Sequence, residues 1–405
     1  MKNDARQKIK KVIAGKTREF FDRKADSAPK ILYVNLGAEC NQNCNFCLIK
    51  GNEHKFPLMD IREAKRVIRD FLGAGGEDIM FTGGEPTLRR DLPEIVDYTE
   101  KQKNLNTISI ITNAVRMADK YYAGKIFEAD KKHKLGFSVS LHSDDQRISE
   151  KITASKGTFK KTVEGMQNIV KNGRRMSVYH AITNENFRHL PRFCAFLKKD
   201  FPEIRSITLA YPFPQGNALL NKWIYVPFSS LKPSLIEALS FLDENGYDTN
   251  IAACGQFPLC VIPGFEEKVL QSLAFGEERI SGVVGQDVFH EFEWGSKAAV
   301  DFYKNKHSNC RKCILSNYCQ GFWKEYIELF DFDGLKPVTV VSFMGNKFKV
   351  RLRSTSDVED AASRLAEGKL NAIILSDYED EYLKDLIRLL KEKNALATII
   401  KSKNL

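Results

Sequence analysis

Three cysteines lie within eight residues of one another, at Cys40, Cys44 and Cys47. The apolar run just before them, at residues 31–34, is typical of a short strand. Cysteines this close cannot all pair with one another, because disulfide geometry is demanding. Clustered thiolates instead suit a soft metal centre, either iron–sulfur or zinc. A closed zinc site needs four ligands, whereas three cysteines on a four-iron cluster leave one iron open.

From Ile31 to about Gln215, short β-branched runs alternate with helical patterns. This alternation predicts an α/β fold of parallel strands joined by right-handed crossovers. In parallel α/β folds the loops that follow the carboxyl ends of the strands form the site. The predicted strands are Ile31–Asn35, Asp78–Phe81, Thr107–Ile111, Leu135–Leu141, Met176–Ile182 and Ile207–Tyr211.

A turn with two glycines, Gly83-Gly84-Glu85-Pro86, follows the second predicted strand. Glycines at these positions let the backbone approach a ligand closely, where a side chain would clash. The carboxylate of Glu85 could then lie beside an ammonium group. Taken alone, this turn could equally be structural.

Together, the C-x3-C-x2-C loop and the GGEP turn resemble the radical S-adenosylmethionine (SAM) enzymes. Their signature is C-x3-C-x-aromatic-C directly after the first strand. The resemblance implies a partial (β/α)6 TIM-like barrel and a [4Fe–4S] cluster held by Cys40, Cys44 and Cys47. In that family the open iron is chelated by SAM. An electron from the cluster cleaves the sulfonium to a 5′-deoxyadenosyl radical, which abstracts a hydrogen from the substrate.

The resemblance also implies contacts with SAM. The ring of Phe46 is expected near the adenine, and the GGEP turn near the amino group. Hydroxyls and amides after the third and fourth strands are expected near the carboxylate and ribose, although Ala114 stands where the family often has glycine. A buried, hydrogen-bonded core histidine is the alternative for His142. The full set is Phe46, Gly83, Gly84, Glu85, Pro86, Thr112, Asn113, Ser138, Ser140 and His142.

A second group of cysteines follows the predicted barrel. The spacing Cys310-x2-Cys313-x5-Cys319 resembles that of the SPASM and twitch extensions, which hold auxiliary four-iron clusters. It implies one auxiliary [4Fe–4S] cluster of the twitch kind. The fourth ligand is expected to be Cys260, with Cys254 as the alternative. A structural zinc ion remains the rival interpretation, because four thiolates satisfy zinc fully.

We therefore expect a radical SAM barrel followed by a cysteine-rich twitch-like extension and a small α/β domain. No motif assigns a role to the last of these. The expected segments are a basic helix at 1–30, the barrel at 31–230, the auxiliary-cluster domain at 231–332 and the small domain at 333–405.

Composition limits the remaining possibilities. Apolar residues make up 43% of the chain and charged residues 28%, as in globular proteins. No apolar run reaches the roughly 18 residues of a membrane span. The Lys-rich N-terminus resembles no secretory signal, so the nine cysteines indicate metal binding in a reducing, cytoplasmic compartment. The net charge of +10 favours an anionic partner, although the charge is diffuse.

Three functions follow from these observations. The first is a twitch-type radical SAM enzyme that modifies a peptide, a protein side chain or a small metabolite. It would draw its electron from a donor such as ferredoxin or flavodoxin. The second is radical SAM modification of an RNA base, for instance in tRNA, which the net charge favours. The third is a non-enzymatic, cysteine-rich zinc protein.

Overall fold

The computed structural model describes residues 31–252, 257–266, 268–269, 280–285, 303–313, 316, 319–338, 347–367, 371–392 and 397–401. The basic helix expected at 1–30 lies outside the described residues, and so does Cys254. Residues 253–256 separate the seventh strand from the loop that contains Cys260.

One sheet dominates the described part of the chain. Its strands are β1 (Ile31–Asn35), β2 (Asp78–Thr82), β3 (Thr107–Thr112), β4 (Leu135–Ser140), β5 (Arg175–Ala181), β6 (Ser206–Ala210), β7 (Asp248–Ile251) and β8 (Ile280–Val284). Their order across the sheet is β7-β6-β5-β4-β3-β2-β1-β8. Every neighbouring pair is parallel. The carboxyl ends of the strands therefore lie along one edge of the sheet.

The six strands expected from the sequence are confirmed, with ends that differ by at most one residue. The sheet also contains β7, which pairs with β6, and β8, which pairs with β1. Strand β1, which precedes the cysteine loop, is therefore flanked on both sides. The fold is the α/β architecture of a partial barrel.

Helices connect the strands. They are α1 (Ile61–Gly73), α2 (Leu92–Glu100), α3 (Lys120–Glu128), α4 (Gln146–Ile152), α5 (Thr158–Lys171), α6 (Leu190–Asp200), α7 (Asn217–Leu220) and α8 (Phe228–Glu244). Aspartates begin three of them: the side chains of Asp60, Asp119 and Asp145 accept backbone N–H groups of the first turns of α1, α3 and α4. Such caps satisfy N–H groups that have no partner within the helix.

The core lies between the sheet and its helices. Val34, Phe81, Ile110 and Val139 are fully buried on consecutive strands, and Ile68 of α1 packs in the same cluster. Burial of these side chains, at about 1.5–3 kcal/mol each, fixes which face of each strand points inward. That in turn fixes the direction in which the loops at the carboxyl ends leave the sheet.

Two smaller sheets follow. The first pairs β9 (Lys304–Asn305) with β10 (Phe322–Trp323) in antiparallel fashion, directly before helix α9 (Lys324–Phe330). The second is parallel, in the order β11-β12-β13. Its elements are β11 (Lys347–Leu352), α10 (Thr355–Glu367), β12 (Asn371–Tyr378), α11 (Asp380–Glu392) and β13 (Ala397–Lys401). No described helix is long and apolar enough to cross a membrane.

Candidate active site

The loop after β1 carries the three cysteines, all partly exposed and all free of disulfides. The Sγ of Cys40 accepts the backbone N–H of Gln42 at 3.4 Å, and the N–H of Cys47 bonds to the carbonyl of Cys44 at 3.1 Å. Burial raises the pKa of the Cys40 thiol to about 11. Burial and the neighbouring Cys47 and Cys40 raise the pKa of Cys44 as well. A nearby positive centre such as a metal would favour the ionised form of these two thiols.

Two distant segments hold this loop in place. On one side, the backbone N–H of Asn45 bonds to the carbonyl of Ile152, at the end of α4, at 2.9 Å. On the other, the backbone N–H of Asn217 bonds to the carbonyl of Cys47 at 2.9 Å, and its side-chain Nδ2 to the carbonyl of Cys44 at 3.0 Å. The loop geometry thus depends on residues far away in sequence.

The GGEP turn packs directly on the cysteine loop. The N–H of Gly84 bonds to the carbonyl of Gly37 at 2.8 Å, and the N–H of Glu85 to that of Glu39 at 2.7 Å. A Cβ at position 84 would lie 2.2 Å from the carbonyl oxygen of Glu39. Gly83 has φ +134°, where a side chain would also be strained. The glycines allow the two loops to meet through their backbones.

The carboxylate of Glu85 lies inside the protein. Oε1 accepts the N–H of Thr87 at 3.0 Å and the hydroxyls of Thr87 and Thr112 at 2.6 Å each. Oε2 accepts the N–H of Asn113 at 2.7 Å. Burial raises the pKa of Glu85, and the four hydrogen bonds oppose that rise. The side chain therefore joins the ends of β2 and β3.

Asn113 extends this network to the cysteines. Its Nδ2 donates to the Oδ1 of Asn41 at 2.6 Å and lies 4.0 Å from the Sγ of Cys40. The next residue, Ala114, has φ +56°, in the left-handed region that glycine adopts most easily. This conformation gives a physical reason for the glycine often found at this position in the family that the sequence resembles.

The end of β4 reaches the same place. The rings of Phe46 and His142 meet edge to face, with centroids 4.9 Å apart. His142 is buried, and its Nδ1 accepts the N–H of Ala181 at 3.1 Å, so the neutral ring carries its hydrogen on Nε2. Burial lowers the pKa of His142 to about 3. Ser138 and Ser140 are partly exposed and alternate with buried residues along β4.

Two arginines that the sequence analysis did not identify support the turn. Arg89 Nη1 donates to the carbonyls of Leu36 at 3.0 Å and Met59 at 2.6 Å. Arg116 Nη1 donates to the carbonyls of Thr87 and Leu88. Pro86, buried, begins the 3-10 turn Pro86–Leu88. No local motif marks these arginines, because their partners are backbone atoms of other loops.

The other cysteine group lines one cavity that is partly open to solvent. Cys260, Cys310, Cys313 and Cys319 all line it, together with apolar residues such as Phe322. Burial raises the pKa of Cys260, and the nearby Cys319, Cys313 and Cys310 raise it further. The four thiols expected to share one site therefore do face the same space.

Soft thiolate donors suit either an iron–sulfur cluster or a zinc ion. Among the described residues, no group of three or more His, Cys, Asp or Glu side chains could hold one metal ion. A structural zinc ion would need four thiols to converge on one point. A four-iron cluster needs the same soft donors arranged around a larger body.

Comparison with known proteins agrees with this geometry. A family model described as the Radical SAM superfamily matches residues 34–197, which include the cysteine loop and the strand ends β2 to β5. This part of the chain belongs to the radical SAM superfamily. The cofactors of that superfamily are a [4Fe–4S] cluster and SAM, for which the thiols of Cys40, Cys44 and Cys47 supply a suitable donor set.

Curated relatives of the radical SAM domain include two named activities. Fe-coproporphyrin III synthase of Methanosarcina barkeri is 28% identical over 231 residues, which are 56% of this chain and 55% of the relative. GTP 3′,8-cyclase of Aquifex aeolicus is 34% identical over 127 residues, 30% of this chain and 38% of the relative. The chain spans about half the length of most of the curated relatives it matches.

Solved structures share the fold over a longer part of the chain. SuiB of Streptococcus suis, bound to the precursor peptide SuiA, has a TM-score of 0.52 at 14% identity. The match covers 78% of this chain and 76% of the SuiB chain. The protein anSMEcpe, with bound AdoMet and the Cp18Cys peptide, has a TM-score of 0.50 at 15% identity and covers 90% and 99%. At this identity the likeness establishes the fold alone.

Proposed function

We propose that the chain is a radical SAM enzyme that uses an auxiliary cluster to modify a peptide or protein side chain, or a related small metabolite. Cys40, Cys44 and Cys47 hold the first [4Fe–4S] cluster. With SAM bound, that cluster supplies a 5′-deoxyadenosyl radical, which abstracts hydrogen from the substrate. The chain's own residues bind and orient SAM and exclude water around it.

One observation carries this proposal: the cysteine loop and the GGEP turn are joined by two backbone hydrogen bonds, from Gly84 to Gly37 and from Glu85 to Glu39. A three-thiol loop alone could belong to several kinds of metal protein. Because the two glycines of the GGEP turn lie directly against this loop, backbone groups lie beside the thiols. A ligand with amino and carboxylate groups can bind to them.

SAM would contact residues from four strand ends, as the family resemblance implies. Within Glu85, Oε1 already accepts three hydrogen bonds and Oε2 one from the described residues, so Oε2 has acceptor capacity left for an amino group. The ring of Phe46 is held by His142 at a fixed angle. The proposed set is Phe46, Gly83, Gly84, Glu85, Pro86, Thr112, Asn113, Ser138, Ser140 and His142.

The second cysteine group would hold the auxiliary [4Fe–4S] cluster. Cys260, Cys310, Cys313 and Cys319 provide four thiols around one cavity, enough to ligate every iron of the cluster. A fully ligated cluster has no iron free for substrate. Held by all four thiols, such a cluster would supply an acceptor for one electron and would offer no open iron to the substrate.

A peptide is the first substrate class to test. The two structures that share the fold over most of the chain both hold peptides, according to their descriptions. A small metabolite is the second, because the curated relatives are named for GTP and for a coproporphyrin. RNA is the third, and only the net charge of +10 favours it.

The test is anaerobic. Protein with reconstituted clusters is incubated with SAM, dithionite and each substrate class, and 5′-deoxyadenosine is measured by mass spectrometry. We expect its formation in wild-type protein and its loss in Cys44→Ala, whereas Cys194→Ala, in the buried core of α6, should keep it. A colourless protein that binds zinc and forms no 5′-deoxyadenosine would support the structural zinc alternative. RNA binding that is insensitive to salt, or absent at low ionic strength, would exclude the RNA alternative.

A further inference from the structure

An exposed apolar patch lies on α7 and the turn that follows it. Leu220 is 78% exposed, Trp223 45% and Leu219 40%. Six large apolar side chains are exposed in the described part of the chain, and these are three of them, within five consecutive positions. Single exposed apolar side chains are ordinary, whereas a contiguous group marks a site of interaction. We call Leu219, Leu220 and Trp223 the α7 patch.

The α7 patch is bonded directly to the cysteine loop. Asn217 Nδ2 donates to the carbonyl of Cys44 at 3.0 Å, and Asn221 Nδ2 to that of Asn45 at 3.3 Å. The indole Nε1 of Trp223 donates to the Oδ1 of Asn221 at 3.2 Å. A partner seated on the patch would therefore lie within a few bonds of the peptide units that carry the thiols.

Two lysines flank the α7 patch. Lys222 lies within it, between Leu220 and Trp223, with Glu325 as an acidic neighbour. The backbone of Lys50, at the end of the cysteine loop, lies beside Gly216, directly before α7: a Cβ built on Gly216 would be 2.7 Å from the carbonyl oxygen of Lys50. An apolar centre with a positive rim is complementary to an acidic partner.

We propose that the α7 patch docks a small acidic electron-transfer protein, one that carries a reduced flavin or a reduced iron–sulfur centre. This rests on the proposed function, because the cluster at Cys40, Cys44 and Cys47 must receive an electron before SAM is cleaved. One electron leaves the donor's centre, which is oxidised, and the cluster is reduced by one electron. No atom or proton is transferred. The patch fits this partner because hydrogen bonds connect it to the cysteine loop. The lysines beside it are also opposite in charge to an acidic protein.

The experiment compares two sources of electrons. SAM cleavage by the holoprotein is measured with a reduced bacterial flavodoxin and, separately, with dithionite, which needs no docking surface. The variant Leu220→Glu places an acidic group in the α7 patch. We expect its rate with flavodoxin to fall about tenfold, as for loss of a central contact, and its rate with dithionite to match wild type. Raising the salt concentration should slow the flavodoxin reaction of the wild type.

A matched control comes from α11. Leu219 and Ile387 are both 40% exposed, so Leu219→Glu and Ile387→Glu each replace an aliphatic side chain by glutamate at equal exposure. We expect Leu219→Glu to weaken the flavodoxin reaction and Ile387→Glu to leave it unchanged. Direct binding of oxidised flavodoxin, measured by calorimetry, should weaken in parallel for Leu219→Glu and Leu220→Glu.

Other results would overturn the docking proposal. Equal flavodoxin rates and binding in wild type and Leu220→Glu would do so, and so would equal losses with flavodoxin and dithionite, because the effect would then be structural. If sedimentation shows that Leu220→Glu dissociates a wild-type dimer while flavodoxin still binds, the patch is a contact between copies. Absence of SAM cleavage by the wild type even with dithionite contradicts the proposed function instead, and the binding measurement still decides the docking surface.

Discussion

The carboxylate of Glu85 accepts the backbone N–H of Asn113 at 2.7 Å, which joins the ends of β2 and β3 beneath the cysteine loop. Its other oxygen accepts the N–H of Thr87 at 3.0 Å. Asn113 in turn reaches Asn41, one residue after the first cysteine. A buried carboxylate thus connects the GGEP turn to the loop that would hold the cluster.

Replacing Glu85 with glutamine should be costly. Both carboxylate oxygens accept a backbone N–H, so the new NH₂ group faces a donor in either orientation. We expect Glu85→Gln to lower the free energy of unfolding by about 1–3 kcal/mol, and to weaken SAM binding. Urea unfolding and equilibrium binding of SAM measure the two effects. Glu94→Gln, which removes an exposed ion pair with Lys65, should change stability by less than about 1 kcal/mol.

The position of Gly216 should be essential for cluster binding. A Cβ there would lie 2.5 Å from the carbonyl oxygen of Cys47 and 2.6 Å from that of Leu48. We expect Gly216→Ala to push the cysteine loop away and so to prevent assembly of the first cluster. The protein would then hold one of its two proposed [4Fe–4S] clusters, which is about half of the iron and sulfide. Iron analysis after anaerobic reconstitution checks this.

Gly246 provides the matched control for that substitution. It also has a left-handed φ, of +69°, but no heavy atom lies within 4 Å of a Cβ built on it. Gly246→Ala should cost about 1 kcal/mol of stability from backbone strain and leave the iron content unchanged. Equal iron loss in both variants would show that general destabilisation, and not the clash at the loop, is responsible.

Two buried histidines should make stability depend on pH. Burial lowers the pKa of His142 to about 3 and that of His180 to about 4, from an ordinary value of 6.5. Because the unfolded chain binds these protons and the folded chain does not, stability present above pH 6.5 is lost as the pH falls from 6.5 towards 4. Each histidine contributes at most about 1.4 kcal/mol per pH unit in that range.

The contribution of His180 can be measured separately. Its Nδ1 donates to the carbonyl of Leu141 at 3.0 Å, and its Nε2 accepts Asn186 Nδ2 at 3.2 Å. We expect His180→Gln to lose less stability between pH 7.5 and pH 5 than the wild type, whatever its stability at pH 7.5. The exposed His54→Gln serves as the control and should keep the wild-type difference. A His180→Gln variant with the wild-type pH dependence would refute the assignment.

A buried ion pair stabilises the loop before β4. Arg174 Nη1 lies 2.8 Å from the Oδ2 of Asp130, and both side chains are almost fully buried. Asp130→Ala would leave the guanidinium without its partner and should cost about 3–5 kcal/mol. Urea unfolding measures the loss. Glu63→Ala, in an exposed pair with Arg66, should cost less than about 1 kcal/mol, and a similar cost for both would contradict this account.

The sequence predicts the central strands well because their alternation of apolar residues is local. The strand β7 was not predicted, since Asp248–Ile251 contains three polar residues and no apolar run. The strand β8 contains a glycine, Gly282, which weakens the pattern of a strand. Both strands exist in the fold because β6 and β1 offer unpaired edges. That pairing depends on tertiary structure.

The candidate site also combines features that the sequence predicts with contacts that it does not. The thiols and the GGEP turn are recognisable because each motif is short and continuous in sequence. The contacts of Asn217 and Asn221 with the cysteine loop cross more than 170 residues, so no spacing reveals them. The meeting of Cys260 with Cys310 was expected only from the resemblance to twitch extensions, because no local pattern joins the two residues.

The most direct test of the central claim is the electron paramagnetic resonance spectrum of the reduced protein with and without SAM. It is recorded in the variant Cys310→Ala/Cys313→Ala, so that the first cluster is observed alone. Because three thiols leave one iron open, the account predicts that SAM shifts the spectrum of this cluster, and that Cys44→Ala in the same background abolishes the signal. A reduced cluster whose spectrum does not change at saturating SAM would contradict the proposal that this iron binds SAM.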